Sequence, residues 1–514
     1  MLLHLILWDL YRALIYKEIS NDSVGLCHGF AIRWLEATFL GEEERQRFEN
    51  RLIFIENTPR DQLLDKLKQA QAKKGEGLTD EDKKVLDILA FFNSLELFHS
   101  PVEHKILFNH SSFVTQQSIE LVSTIASSSL VEMKRGLKEI YSEPNILTKE
   151  ELHDYLLNLS KILDETLNDV NTPVGLLLGS HNHAIALSYS TSQGWLFRDI
   201  NQPLEATTFD QIAEKIKRSF IDTHSSSYVA FNTSIFLTGD NKSKAKLEKL
   251  TQLRPSNDFI KAQSLRKSKD GVTLALIAAQ FGHSTVITTL AEAGVNLNIA
   301  KENGETPVFV AAQNGKADVI TALAQAGANL DMAREDGMPP IVIATKYGCI
   351  AAIKALAEGG ANLDKMTKYG VTAAFVAVAD GNTEVVETLL KNHCNFEIPI
   401  EWKAQDWINL AMGLAKIKGD SRIIQRMNEF LQENKSERVK IRPYDMAKII
   451  GQEEVIKFIK EHLELTKKCA GIEQFQSINN NCFSASHTFF VADKKSIQKP
   501  VQEEHKSIVK ISGG

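Results

Sequence analysis

A repeat of 33 residues in the second half constrains the fold of this 514-residue chain more than any other feature. Each copy is rich in Ala, Val, Ile and Leu, and the copies begin at Asp270, Asn303, Asp336 and Tyr369. The glycine after each start recurs with the same period, at Gly271, Gly304, Gly337 and Gly370. A helix pair of this length cannot bury its apolar face alone, so neighbouring units must stack to form a core. The period therefore predicts an all-α solenoid over residues 270–397.

The content of the copies resembles that of ankyrin repeats. Thr306 and Pro307 match the "TP" pair of the family, and residues 326–330 read "AGANL". The resemblance implies two antiparallel helices and a projecting hairpin in each unit. The histidine of the family's "TPLH" motif is replaced in every copy, by Leu276, Phe309, Val342 and Phe375. Residues 398–465 show two further patterns of apolar helix, glycine and apolar helix, which predict a degenerate continuation that caps the stack.

The tips of the predicted hairpins differ in charge from one repeat to the next. Loops that project from a rigid stack can vary without disturbing its core, so we expect a protein partner to bind there. The residues expected to contact this partner are Arg334, Glu335, Lys365 and Lys368. The alternative is that the tips are solvated turns.

Composition and charge argue against several classes of function. The net charge is −6, so no overall positive field attracts nucleic acid, and no direct contact with nucleic acid is expected. The 5 cysteines are scattered and lack Cys-x-x-Cys spacing, which argues against a disulfide framework and a zinc site. The apolar start contains Asp9 and Arg12 and is too short to span a bilayer, so it predicts an amphipathic helix and no cleaved signal peptide. No later segment is a candidate for a membrane span.

Cys27 opens the stretch "CHGFAIRWLEATF", which predicts a helix. The sulfur would lie at the positive end of the helix dipole, and Gly25 and Gly29 would let other segments approach closely. Phe30 and Trp34 fall on one line and would bury the helix in a core. Two interpretations are open. Cys27 is a nucleophile with partners elsewhere in the chain, or it is a free cysteine that packs as a small hydrophobe.

Residues 174–203 contain candidate partners for a nucleophile. They predict three strands, with residues 190–194 as the turn between the last two. Facing residue numbers in a hairpin have a constant sum, which is about 384 here. His183 should therefore face residue 201, or residue 199 after a slip of two. Asp199 and Asn201 could each accept a hydrogen bond from the imidazole, and a thiol beside such an oriented histidine is activated.

Three motifs resemble those of the YopT-type cysteine peptidases, a branch of the papain-like fold found among secreted bacterial effectors. They read "GLCHGFAIRWLEA", "NHAIALSYS" and "WLFRDINQP", in that order. The resemblance covers about residues 1–240 and leaves a helical insert at about residues 41–170. It implies that an α+β domain, like that of the papain-like cysteine proteases, precedes the ankyrin-repeat solenoid.

The same resemblance implies roles for individual residues. Cys27 would be the nucleophile and His183 the general base. Asp199 would be the orienting carboxylate, with Asn201 as the alternative. Asn21 would stabilise the oxyanion together with the backbone amide of Cys27. We expect no cofactor and no metal, because the histidines of this strand lack a third ligand at suitable spacing.

The order of the segments resembles that of the ankyrin effectors that Legionella delivers into host cells by type IV secretion, particularly the AnkH-like members. A connector at residues 241–269 joins the first domain to the repeats, and a polar tail at 466–514 is expected to be mostly disordered. The resemblance implies secretion without a cleaved signal peptide, a translocation signal in the tail, and action in the host cytoplasm or nucleus.

On this resemblance the protein would bind a host protein through its ankyrin hairpins and act on it as a cysteine protease. We expect a monomer. One alternative is a catalytically silent adaptor that captures a host complex. Another is a thiol acyltransferase or deamidase that uses the same three residues, because a thioester intermediate can be resolved in more than one way.

Overall fold

The computed structural model describes residues 5–7, 9–11, 26–73, 77–99, 137–166, 173–180, 182–206, 208–220, 228–238, 256–268, 270–434 and 436–464. Asn21 and the tail at 466–514 lie outside these residues. The chain divides into two compact units, residues 1–456 and 457–514. Of the second unit the described residues 457–464 are helical. The first unit contains the sheet, the repeats and the candidate active site.

Four helices open the first unit. They are α1 (Cys27–Phe39), α2 (Glu42–Asn57), α3 (Arg60–Ala72) and α4 (Asp80–His99). Helix α1 is central, because Phe30, Trp34 and Leu35 are almost completely buried. Leu7 and Leu10 of the predicted first helix are helical and join the same core. The burial that the sequence predicted for α1 is therefore present.

A six-stranded antiparallel sheet follows. Its strands are β1 (Leu137–Leu147), β2 (Val174–Gly179), β3 (Ala184–Ser190), β4 (Gly194–Asp199), β5 (Gln202–Ala206) and β6 (Val229–Thr238). Their order in the sheet is β1-β6-β2-β3-β4-β5. Strands β2, β3 and β4 are the three that the sequence predicted. The stretch predicted as a helical insert also contributes β1, which tolerates Pro144 because it is an edge strand. The N-terminal region is thus a mixed α and β domain.

Alternate residues of the strands pack on opposite faces of this sheet. Leu176 and Leu178 point into a core with α5 (Lys149–Thr166) and α6 (Phe209–Phe220). Leu177, Ala184 and Ala186 point the other way, into the core around α1. Helix α1 lies on β2, β3 and β4, so it covers only part of this second face.

The repeats form four stacked helix pairs, which confirms the predicted all-α ankyrin solenoid. A short helix, α7 (Asn257–Gln263), precedes them. The pairs are α8 (Leu274–Phe281) and α9 (Ser284–Glu292), α10 (Pro307–Gln313) and α11 (Ala317–Gln325), α12 (Pro340–Lys346) and α13 (Ile350–Glu358), and α14 (Ala373–Asp380) and α15 (Thr383–Lys391). Thr273, Thr306 and Thr372 cap their helices by accepting a backbone N–H. The residues that replace the family's histidine are buried apolar side chains.

A ladder of side-chain amides and carboxylates ties successive turns together where that histidine is missing. The Asn298 Oδ1 atom accepts the backbone N–H of Asn329 at 2.8 Å. Asp331 and Asp364 accept in the same way from residues 362 and 395, at 2.9 and 2.7 Å. Each of these bonds joins one repeat to the next.

The capping region contains three further helices and a small sheet, and another helix begins at residue 453. Its elements are β7 (Ile400–Lys403), α16 (Ala404–Lys418), α17 (Arg422–Glu433), β8 (Arg438–Ile441), α18 (Pro443–Ile450) and a helix at 453–464. Gly419 and Gly451 end α16 and α18 with a positive φ, as the predicted patterns require. The antiparallel pairing of β7 with β8 was not predicted. Among the described residues, no helix is both long and apolar enough to cross a bilayer.

The turn glycines give a test of how tightly the repeats approach each other. Gly304 has φ +83°, and a methyl group there would lie 2.6 Å from the backbone nitrogen of Glu335 in the next hairpin of the stack. Gly327 has a similar φ of +73°, but a methyl group there would meet no atom within 4 Å. Both glycines have a positive φ, but only Gly304 lies in close contact with another segment of the chain.

We predict that Gly327→Ala costs about 1 kcal/mol of unfolding free energy, from backbone strain alone. Gly304→Ala should cost roughly 3 kcal/mol, because it must also displace the neighbouring repeat. Urea denaturation of the two variants beside the wild type measures the difference. Equal losses would mean that the repeats are not in close contact at this turn.

Candidate active site

Cys27 is the first residue of α1 and lies against the turn between β2 and β3. Its side chain is buried, and its Sγ atom is 4.0 Å from the carbonyl oxygen of Asn182 in that turn. Gly29 allows the helix to sit there, because a methyl group at this position would be 2.7 Å from the carbonyl oxygen of Leu95 in α4. The N-terminal end of α1 is therefore held between α4 and the sheet, with the thiol facing the β2–β3 turn.

His183 leaves this turn just before β3 and is positioned by Ser180. The backbone N–H of Ser180 donates to the carbonyl oxygen of His183 at 2.8 Å. The backbone N–H of His183 donates to Ser180 Oγ at 3.1 Å. These two bonds fix the backbone from which the imidazole projects. The ring is largely buried, and the neighbouring Cys27 side chain acts to raise its pKa.

Asp199 ends β4 and lies on the other side of the imidazole. The Nε2 atom of His183 is 3.1 Å from Asp199 Oδ1. Ala186 faces Arg198 in the β3–β4 hairpin, which is the register that the sequence predicted. Of the two acceptors left open, the structure places Asp199 against His183. Asn201 contributes only its backbone N–H, which donates to Asp199 Oδ1 at 2.9 Å.

Two further side chains hold Asp199, and sequence reasoning missed both. Ser219 Oγ in α6 donates to Asp199 Oδ2, and so does Gln202 Nε2, at 3.4 Å. The Gln202 amide also donates to Ser219 Oγ at 2.9 Å. Gln202 belongs to the strand motif and could have been suspected from its position. Ser219 lies 20 residues after Asp199, in a helix whose packing the sequence does not specify.

The electrostatics favour a charged His183. Burial acts to lower the pKa of this imidazole, but the hydrogen bond with Asp199 and the hydrogen bond with Cys27, together with their charges, raise it to about 10. Burial acts to raise the pKa of Asp199, but the imidazole and the donors from Asn201 and Ser219 hold it below its usual value. A buried carboxylate and an imidazolium therefore stabilise each other beside the thiol.

Arg198 precedes Asp199 in β4 but does not compete for its carboxylate. Neighbouring residues of a strand point to opposite faces, and the Arg198 guanidinium pairs with Glu49 of α2 at 3.1 Å. It also donates to the carbonyl oxygen of Gln202 at 2.6 Å and lies 5.2 Å from the ring centre of Phe30. Arg198 thus fastens the β4–β5 turn to the helices.

The other described cysteines have a different environment. Cys349 and Cys394 are buried in the repeats, where their thiols lie 3.8 and 3.7 Å from the carbonyl oxygens of Gln313 and Leu363. Burial raises the pKa of both thiols well above the ordinary value. Neither has a histidine partner of the kind seen at Cys27. Among the described residues, no group of three or more His, Cys, Asp or Glu side chains could hold a metal ion.

The residues predicted to contact a partner differ in how free they are. Arg334 is engaged by two carboxylates, because its guanidinium pairs with Asp336 of its own hairpin at 2.5 Å and with Glu305 of the neighbouring hairpin at 3.4 Å. Glu335 and Lys368 are exposed, and Lys365 is half-buried. Sequence reasoning missed two large exposed apolar side chains beside them, Met366 and Tyr369.

The family comparison concerns the solenoid. The family model of ankyrin repeats matches residues 243–334 and 323–400. The C-terminal half contains ankyrin repeats. No curated protein sequence matches the chain. Since ankyrin repeats are protein-binding modules, the match indicates a protein partner for the repeats.

We predict that His183 titrates near pH 10 and that Asp199→Asn and Cys27→Ala each lower its pKa. Each variant removes a hydrogen-bond partner that favours the imidazolium. Histidine-selective NMR measures this titration. The control is His283, whose pKa burial lowers to about 4 and which should not respond. An ordinary titration of His183 in the wild type would contradict the proposed ion pair.

The same titration has a consequence for stability. The folded pKa of His183 exceeds the unfolded value, which is about 6.5. Protonation of this ring therefore stabilises the fold fully below about pH 6.5, and the stabilisation is lost as the pH rises through about 10. The stability difference between the wild type and His183→Gln should shrink over this range.

Proposed function

We propose that the sheet domain is a thiol hydrolase of the papain-like type, with Cys27 as nucleophile, His183 as general base and Asp199 as orienting carboxylate. The observation that carries the proposal is the position of His183, which hydrogen-bonds with Asp199 at 3.1 Å and directly follows Asn182, whose carbonyl oxygen is 4.0 Å from the Cys27 Sγ atom. The favoured substrate is a protein, which the ankyrin repeats would hold. The resemblance of three motifs to the YopT-type peptidases supports the same reading.

The chemistry follows from the order of the three side chains. In the proposed mechanism the imidazole of His183 holds the proton that the thiol has given up, and the thiolate attacks a substrate carbonyl carbon. The oxyanion would be stabilised by the backbone amide of Cys27, and we propose Asn21 as the second donor. The imidazolium then protonates the leaving amine, and a thioester remains on the sulfur. Water activated by His183 releases the acid and restores the thiol.

We predict that an electrophilic thiol probe labels Cys27 at least about 100-fold faster than Cys349 or Cys394 near neutral pH. The thiol of Cys27 has an imidazole partner, whereas burial disfavours the thiolate at the other two sites. His183→Ala should slow the labelling of Cys27 about tenfold or more. Peptide mass spectrometry of the full chain quantifies each site. Equal labelling of the three cysteines would overturn the enzyme proposal and favour the adaptor.

The fate of the thioester distinguishes a protease from the other thiol enzymes. Release of a new carboxyl terminus from a captured protein indicates a protease. Conversion of a glutamine to a glutamate indicates a deamidase, and transfer of the acyl group to an amine indicates an acyltransferase. Mass spectrometry of captured substrate, compared between wild type and Cys27→Ala, separates these outcomes.

Partner capture by the hairpins is the second proposed activity, and the ankyrin match favours it. The exposed Glu335 and Lys368 on adjacent tips are the best test positions, whereas Arg334 also holds its own hairpin together. Charge reversal of Arg334 would mix a binding effect with a stability effect.

We predict that Glu335→Lys with Lys368→Glu weakens capture of a protein partner about tenfold, because complementary charges at an interface are inverted. Stability should change by less than about 0.5 kcal/mol, since both side chains are exposed. The matched control is Lys354→Glu with Glu358→Lys, an exposed pair on α13. Pull-down from host-cell lysate measures capture. Equal capture by the two double variants would exclude these tips as the binding site.

Delivery into a eukaryotic host, followed by action in its cytoplasm or nucleus, belongs to the same proposal. It is supported only by the resemblance to type IV ankyrin effectors. A reporter enzyme fused to residues 466–514 should reach the host cell in a secretion-competent strain and fail to do so in a secretion-deficient one.

A further inference from the structure

The first ankyrin repeat packs directly on the sheet domain. Helix α8 lies on β1 and β6, on the same face of the sheet that α1 covers over β2, β3 and β4. The His283 ring, between α8 and α9, is 2.7 Å from Asn232 Oδ1 in β6. Asn232 in turn donates to Ser142 Oγ at 3.0 Å and to Ser234 Oγ at 3.1 Å. This polar part of the sheet is thus covered by the repeat.

A second set of contacts fixes the start of the repeats to the edge of the sheet. Arg266, which follows α7, pairs with Glu151 of α5 at 2.6 and 2.9 Å. Its guanidinium also donates to the carbonyl oxygen of Ile146 in β1 at 2.9 Å. The buried Gln263 side chain accepts the backbone N–H of Ile146. Contacts on both sides of α8 along the chain therefore hold the first repeat on the sheet.

The last residues of α8 reach the turn that carries His183. The Gln280 Nε2 atom donates to the carbonyl oxygen of Ser180 at 3.3 Å. The ring of Phe281 packs against Gly179, so closely that a methyl group on Gly179 would lie 2.9 Å from Phe281 Cζ. Ser180 is the residue whose backbone and hydroxyl fix His183. Ser180 therefore links Gln280 of the ankyrin repeat directly to His183, the proposed general base.

We propose that the first ankyrin repeat positions the general base, with Gln280 and Phe281 as positioning residues that act through the Ser180–His183 turn. The inference rests on the proposed thiol function. Neither residue touches the reacting atoms. Their role is to keep the imidazole within reach of both Cys27 and Asp199. The ankyrin repeats would then belong to the catalytic unit as well as binding a partner.

The test is a clash introduced at Gly179 and relieved at Phe281 in the full chain. Gly179→Ala places a methyl group against the ring, and Phe281→Leu removes the ring atoms that it meets. The matched control is Gly175→Ala in the same strand, whose methyl group would lie 2.8 Å from the ring of Phe39 in α1 and away from the repeat. Gln280→Met removes the donor but keeps the length of the side chain.

The readout is the rate of Cys27 alkylation by iodoacetamide as a function of pH. A thiol beside an imidazolium reacts at a nearly constant rate below pH 8, whereas an ordinary thiol, with a pKa of about 8.5, slows about tenfold per pH unit. In the Gly179→Ala and Gln280→Met variants, the rate of Cys27 alkylation should therefore fall at least about tenfold near pH 6 and change little near pH 9. A general loss of stability would not change the shape of this profile in the folded protein.

The double variant Gly179→Ala with Phe281→Leu should recover the wild-type profile, whereas Phe281→Leu should not rescue Gly175→Ala. A Gly179→Ala profile that matches the wild type, or one that Phe281→Leu does not restore, overturns the positioning role and leaves the thiol function intact. A wild-type profile that matches that of His183→Ala overturns the thiol function, and the positioning role with it.

Discussion

The six-stranded sheet is covered on both faces, and this arrangement organises the first unit. Helices α5 and α6 cover one face with an apolar core. The other face is shared, because α1 covers β2, β3 and β4 while α8 of the first repeat covers β1 and β6. Without α8, the side chains of Ser142, Asn232 and Ser234 would form an open polar patch beside the core. The solenoid and the sheet are therefore parts of one compact unit.

The candidate site lies at the end of the sheet, where α1 on one face and α6 on the other both reach it. Cys27 comes from the start of α1, His183 from the turn after β2, and Asp199 from the end of β4. A buried carboxylate is costly unless donors surround it, and Asp199 receives bonds from His183, Asn201, Gln202 and Ser219. These donors keep it ionised, and it keeps His183 charged. The arrangement gives a thiol and a base without a metal or a cofactor in the proposed reaction.

Much of this could be predicted from local patterns. The 33-residue period placed the helix pairs. The constant sum in the hairpin gave the register of β3 with β4 and brought His183 near residues 199 and 201, without deciding between them. Long-range pairings could not be predicted. Strand β1 pairs with β6, about 90 residues later, and contains a proline that argues against a strand. Ser219, the pairing of β7 with β8, and the packing of α8 on the sheet likewise depend on tertiary contacts that leave no period in the sequence.

The central claim is that Cys27 is a nucleophile whose reactivity depends on His183 in the folded protein. Intact-protein mass spectrometry after exposure of the full chain to a peptidyl epoxide tests this claim directly. The account predicts one adduct on wild type, at Cys27, and at least about tenfold slower adduct formation on His183→Ala. Equal rates for the two proteins, or an adduct that Cys27→Ala still forms, would contradict the claim.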